Sequence, residues 1–135
     1  MEDLLKKETV KRVIKALNNF DQSLKVEALK SSARTAKEAA ESLNCEVGAI
    51  VKSLFLRTKN SFLLCLVAGD KRCSLNKLKK ILGEKDVSMG SADQVKEITG
   101  FTIGGVSPVA HLNPLKIYID QSLSRFIDIY AAAGH

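Results

Sequence analysis

The chain has no tryptophan, only 5% aromatic residues, two prolines, two histidines and three cysteines among its 135 residues. With so few rings, Leu, Ile, Val and Ala must fill any core. Cys45, Cys65 and Cys73 are odd in number and scattered, with no CxxC pair. That argues against a disulfide framework and fits free thiols in a reducing compartment. His111 and His135, even with those cysteines, are too few for a convincing zinc site. There is no HExxH, Walker loop or GxSxG, so the common metalloprotease, nucleotide-binding and serine-hydrolase signatures are missing. A Ser-His-Asp arrangement stays open, although no spacing points to one. No apolar run reaches membrane-spanning length, and the opening MEDLLKKETVKRV has no stretch suited to a signal peptide. The expectation is a cytoplasmic protein with no membrane partner.

At 45% hydrophobic and 27% charged, the composition is that of a globular protein and too apolar for a disordered one. Residues 1–135 have the size of one domain, long enough to form a core without staples. The net charge of +6 admits a polyanionic partner, since lysines and arginines that neutralise phosphates release counterions. The charges are spread along the chain, however, and mild basicity is common. Charge alone is a weak argument for nucleic acid.

Hydrophobic spacing predicts a helix over residues 4–20, with Val10, Val13, Ile14, Leu17 and Phe20 on one face. Residues 23–29 (SLKVEAL) alternate as a half-buried strand would. Residues 35–43 open with the capping box Thr35/Glu38 and predict a short helix. Two apolar strands, 49–57 and 61–69, are joined by the polar turn TKN and read as a hairpin in the middle of a sheet. Ser74 should cap a helix that buries Leu75, Leu78, Ile81 and Leu82, and DVSM suits a short strand. SADQ is a second capping box, starting a helix through Ile98 that Gly100 can stop. Residues 116–120 and 126–134 read as further strands. This order predicts an α+β single domain, a mixed and mostly antiparallel sheet with surrounding helices.

Two features stand out as chemistry. Lys52 lies inside AIVKSLFL, with apolar neighbours on both sides. It either points to solvent by strand alternation or projects into a pocket, where its ammonium would suit a phosphate or a carbonyl oxygen; the residues leave both open. The second is IGGVSPVAH, residues 103–111. Gly104 and Gly105 allow positive φ and close approach of backbone to a ligand, and Pro108 biases Ser107 toward an extended conformation. Such a loop either reverses the chain or presents N–H groups to an oxyanion or carbonyl.

In order and spacing, ARTAKEAAESLNCEVGAIVKSLFLR, LLCLVAGDKRCSLNKLKKILG, EITGFTIGGVSPVAH, IYID and YAAAG resemble the YbaK/EbsC family of aminoacyl-tRNA deacylases. That family is related to the editing domain of bacterial prolyl-tRNA synthetases, and the resemblance covers nearly the whole chain. It implies a YbaK-like fold and hydrolysis of the ester joining a wrong amino acid to the terminal ribose of tRNA, without metal or organic cofactor. Family members lack a protein nucleophile, so a substrate hydroxyl or a water attacks. Lys52 inherits a role near the terminal adenosine and its phosphate. Gly104 and Gly105 take the catalytic role of holding the aminoacyl carbonyl, with Val106, Ser107 and Pro108 completing the substrate loop. Relatives often carry proline where this chain has Ser107, which alters the pocket rim. His111 is placed at that rim, structural before catalytic, and Gly134 lines the site. Relatives usually continue into another strand and helix past His135. The implied partners are aminoacyl-tRNA and an aminoacyl-tRNA synthetase. Two other readings stand beside this one: a non-catalytic tRNA- or ligand-binding module of the same fold, and a hydrolase of some other activated ester.

Overall fold

Helix α1 (Glu8–Phe20) follows a short 3-10 turn at Leu4–Lys6 and buries Val10 and Val13. The computed structural model describes residues 3–29 and 33–135. The apolar stripe of α1 runs past the core, leaving Phe20 85% exposed. Helix α2 (Ala36–Leu43) is capped by the Thr35 hydroxyl, which accepts the Glu38 N–H at 3.1 Å. The Glu38 carboxylate accepts the Arg34 N–H at 3.0 Å, so the reciprocal half of the expected box lands one residue early. Helix α3 (Leu75–Leu82) starts at Ser74 and α4 (Ala92–Thr99) at Ser91, where both bonds of the Ser91/Gln94 box are made. Each such cap contributes about 1 kcal/mol. In α3 only part of the expected stripe is inside: Leu78 is buried, whereas Ile81 is 67% exposed.

Strands β1 (Val51–Thr58), β2 (Phe62–Ala68), β3 (Val87–Met89) and β4 (Lys116–Ile119) form one mixed sheet in the order β3-β1-β2-β4. β1 and β2 are the expected antiparallel hairpin, in register from Val51 opposite Ala68 to Arg57 opposite Phe62. β3 adds antiparallel to β1, while β4 adds parallel to β2. This is the α+β domain with a mixed sheet that the element order implied.

The two central strands are covered on both faces. On one face Val51, Phe55, Leu64, Leu66 and Ala68 pack with Val13 of α1, Val95 of α4, Phe101, Val106 and Leu123. On the other, Leu56, Leu63, Cys65 and Val67 pack with Leu78 of α3 and Val87. The first face carries the glycine loop and the second carries α3.

Two expected strands are absent among the described residues. Residues 23–29 pair with no strand; Val26 packs on the core, but Leu24 is 40% exposed. Alternation there records one side lying on the core, not membership of a sheet. Residues 126–134 make a single parallel bridge, Ile50 to Tyr130. The Val51 N–H donates to the Tyr130 carbonyl at 2.7 Å and the Tyr130 N–H to that of Ala49 at 2.9 Å. That bridge carries the chain past the start of β1 and on toward α1.

Candidate active site

The loop after α4 is braced before it is free. Gly100 ends α4 in the left-handed region, and Phe101 turns into the core with no exposed surface; burying such a ring contributes roughly 1.5–3 kcal/mol. The Thr99 hydroxyl donates to the Val95 carbonyl at 2.6 Å and accepts the Phe101 N–H at 3.0 Å. At the far end, the N–H groups of Leu112 and Asn113 return to the carbonyls of Thr99 and Ile98 at 3.2 and 3.1 Å.

Arg12 of α1 joins the two ends. Its Nη2 donates to the Thr99 carbonyl at 2.9 Å and its Nε to the Ala110 carbonyl at 3.0 Å, and its guanidinium lies 4.5 Å from the centre of the Phe101 ring. Ala110 itself is held at φ 67°, a conformation an alanine adopts only under constraint. Nothing in the sequence flagged Arg12, one basic residue among several on an amphipathic helix. Arg12→Ala should lower stability by about 2 kcal/mol, because it leaves two carbonyls short of a charged donor. Thermal melting checks this, with Arg12→Lys expected to recover less than half, since a lysine cannot fork between both carbonyls.

Between these anchors, Gly104 (φ 86°) is exposed, and a Cβ there would meet nothing. Gly105 is buried, and a Cβ on it would lie 2.8 Å from the backbone carbon of His135. The Gly105 N–H closes a turn onto the Thr102 carbonyl at 3.0 Å. Those of Gly104, Val106 and Ser107 have no acceptor among the described residues. Val106 is 3% exposed and packed in the core, and Ser107 is fully buried with its Oγ accepting the Val109 N–H at 3.1 Å. Their backbone, then, is what the loop can offer a ligand. Pro108 is half-buried at the loop's exit.

The last residues run beside this loop. The Gly134 carbonyl accepts the Thr9 hydroxyl of α1 at 2.7 Å, and His135 Nδ1 lies 3.0 Å from the Lys7 ammonium. The geometry therefore gathers Gly105, Gly134 and His135 at the start of α1.

His111 is tied to the same loop. Its Nε2 donates to the Ser107 carbonyl at 2.6 Å, and its ring meets Phe101 edge-on. Burial pushes its pKa below the ordinary histidine range, the Ser107 hydrogen bond opposes this, and Arg12 adds to the lowering. Histidine is thus neutral in the folded protein where it would already be charging in the unfolded chain. The unfolded state binds more protons, so stability is retained above about pH 6.5 and lost as pH falls below it. His111→Gln should flatten the dependence of Tm on pH between about 7 and 5, as a melting series would register.

Lys52 does not join this group. Strand alternation puts it with Leu54 and Leu56 on the α3 side of β1, and its Nζ donates to the Lys71 carbonyl after β2. Ser53, its neighbour, alternates to the face of Val51 and Phe55, where Val106 packs. The Ser53 Oγ is buried with no partner among the described residues, a polar group that sequence reasoning passed over. An open cleft of ≈ 380 Å³ lies elsewhere, lined by Ile119, Asp120, Leu123, Phe126, Ile127 and Ile129 among others. None of the candidate residues lines it. No group of three or more potential metal ligands occurs among the described residues.

A family model described as aminoacyl-tRNA editing domain matches residues 30–135. The chain is 38% identical over 76 residues to a proline–tRNA ligase of Thermosipho africanus, a match that takes in 56% of this chain and 14% of that protein. Against the uncharacterized protein YwhH of Bacillus subtilis the identity is 31% over 127 residues, covering 93% of this chain and 80% of the other. Among solved structures, one presented as a proposed trans-editing enzyme for prolyl tRNA synthetase superposes with a TM-score of 0.89 at 40% identity, covering 95% of this chain and 82% of that one. The chain spans only a small part of the ligases, and most of YwhH and of that solved structure. With its mixed sheet, its braced glycine loop and a family match over most of its length, the chain belongs to the aminoacyl-tRNA editing domain family.

Proposed function

We propose that residues 1–135 act as one trans-editing deacylase, hydrolysing the ester between a wrong amino acid and the terminal ribose of tRNA. The observation that carries this reading is the loop itself: braced by Arg12 at both ends, closed by the Gly105 turn, and keeping the N–H groups of Gly104, Val106 and Ser107 uncommitted. Amides held in place in this way stabilise the oxyanion that forms when water or a substrate hydroxyl attacks the ester carbonyl. The attacking group supplies the new C–O bond, and the ribose oxygen leaves with a proton. Lys52 serves the terminal phosphate, exchanging the Lys71 carbonyl for it. A synthetase is the natural partner, given the proline–tRNA ligase relatives.

A second reading, a binding module without turnover, draws on Lys52: its ammonium is engaged with the Lys71 carbonyl on the face away from Val106. Deacylation measured against a panel of mischarged tRNAs separates the two. Accelerated release from one or a few of them supports the enzyme; binding without release supports the module. Affinity for tRNA should also fall steeply with salt, each neutralised phosphate adding about −0.7 to −0.9 to the slope of log K against log salt. A flat salt series contradicts tRNA as the ligand and returns the site to a small activated ester.

A further inference from the structure

Cys65 and Cys73 are both free thiols, yet their sulfurs lie 3.8 Å apart. Cys65 is in the middle of β2, inside the sheet face that α3 covers, and is 7% exposed. Cys73 is half-buried, in the turn just before the Ser74 cap of α3, and packs against the same cluster. A disulfide needs its sulfurs about 2 Å apart, so a small displacement of one partner suffices. β2 cannot provide it, since it is hydrogen-bonded on both sides, to β1 and to β4. The turn can, because residues 70–72 are largely exposed. That turn also carries the Lys71 carbonyl that accepts the Lys52 ammonium.

We propose that Cys65 and Cys73 form a reversible oxidative modification site, taking hydrogen peroxide as oxidant, whose crosslink shifts the Lys71 carbonyl away from Lys52. The half-buried Cys73 meets the oxidant first. Its sulfur attacks one peroxide oxygen, the O–O bond breaks, and Cys73 becomes a sulfenic acid as the first water leaves. The Cys65 sulfur then displaces the sulfenic hydroxyl, which departs with the Cys65 proton as a second water. Two thiols lose two electrons and the peroxide gains them; a dithiol reductant reverses the step. Burial and the neighbouring Cys73 push the Cys65 thiol up to about 12, which keeps it protonated and disfavours its direct reaction with the oxidant. Cys45, the third free thiol, is half-buried at the end of α2 and is replaced in the test so that it cannot form a crosslink of its own.

The test uses the full chain with Cys45→Ser, treated with hydrogen peroxide and mapped by peptide mass. The expected product is a Cys65–Cys73 crosslink that dithiothreitol removes. Cys73 advancing to sulfinic acid beside a free Cys65 thiol overturns the proposal. Acylation of Lys52 by an amine-reactive ester should be several-fold faster in the oxidised form, and equal rates overturn the coupling to Lys52. Any effect on turnover rests on the deacylase reading. On that reading, a Lys52 ammonium no longer held by the Lys71 carbonyl is free for the terminal phosphate, so oxidation should speed deacylation several-fold, while Cys73→Ser and Cys73→Ala keep the rate of the reduced protein in peroxide. An unchanged rate in the crosslinked protein overturns the regulatory effect. The mass map and the Lys52 labelling need no turnover, so a failure of the deacylase reading leaves them interpretable.

Discussion

A Gly105→Ala protein is expected to lose about a hundred- to a thousandfold in deacylation rate while keeping its fold, the cost typical of a displaced oxyanion donor. The added methyl would lie 2.8 Å from the backbone of His135, well inside contact distance. The atoms it strikes belong to His135, which is tied to the start of α1 through Lys7 and, at Gly134, through Thr9. What shifts instead is the loop between its two anchors, and with it the N–H groups of Val106 and Ser107. Gly104→Ala makes the control. At φ 86° with open space around it, the substitution strains the backbone by about 1 kcal/mol and pushes on nothing. Melting temperature and single-turnover deacylation on both variants decide the matter. If both lose only stability, with the rate per folded molecule preserved, the glycines merely turn the chain and the oxyanion reading fails.

Lys52→Ala should lower deacylation about a hundredfold and cost at most about 1 kcal/mol, the net worth of its single hydrogen bond to the Lys71 carbonyl. Lys52→Met keeps the aliphatic stem across the sheet face and guards against a packing artefact. Both variants should lose rate alike if the ammonium is what matters. A well-folded Lys52→Ala enzyme with an undiminished rate would remove Lys52 from the chemistry and leave the loop amides to carry it.

How far the sequence could be read depended on how local each signal was. The Thr35, Ser74 and Ser91 caps were legible because each is written within four residues, and all three hydroxyls accept the predicted amides. The hairpin was legible because two apolar runs flank a polar turn. Residues 23–29 and 126–134 misled, since joining a sheet requires a distant partner that alternation alone does not reveal. The orientation of Lys52 was illegible for a related reason. β1 is covered on both faces, with Val51 in one cluster and Leu54 against the other, so period-two alternation no longer marks inside from outside. Ile81 and Phe20 kept the helical spacing of a buried stripe while α3 and α1 left them in solvent. The glycine loop was legible as a candidate, but its brace was not. Arg12 reaches residues 87 and 98 positions away, and no local pattern carries that distance.

The pairing of Thr9 with Gly134 and of Lys7 with His135 spans 125 and 128 positions. Contacts of this kind form only after the intervening chain is ordered, because closing so large a loop costs entropy that nothing local offsets. The caps and the β1–β2 hairpin close over a few residues and need no such delay. Assembly therefore runs from scaffold to site: the sheet and helices can exist before Gly105 is packed. The same order in reverse governs opening. Amides near Gly134 should exchange with solvent through fluctuations smaller than global unfolding, while those of β2 wait for the whole domain.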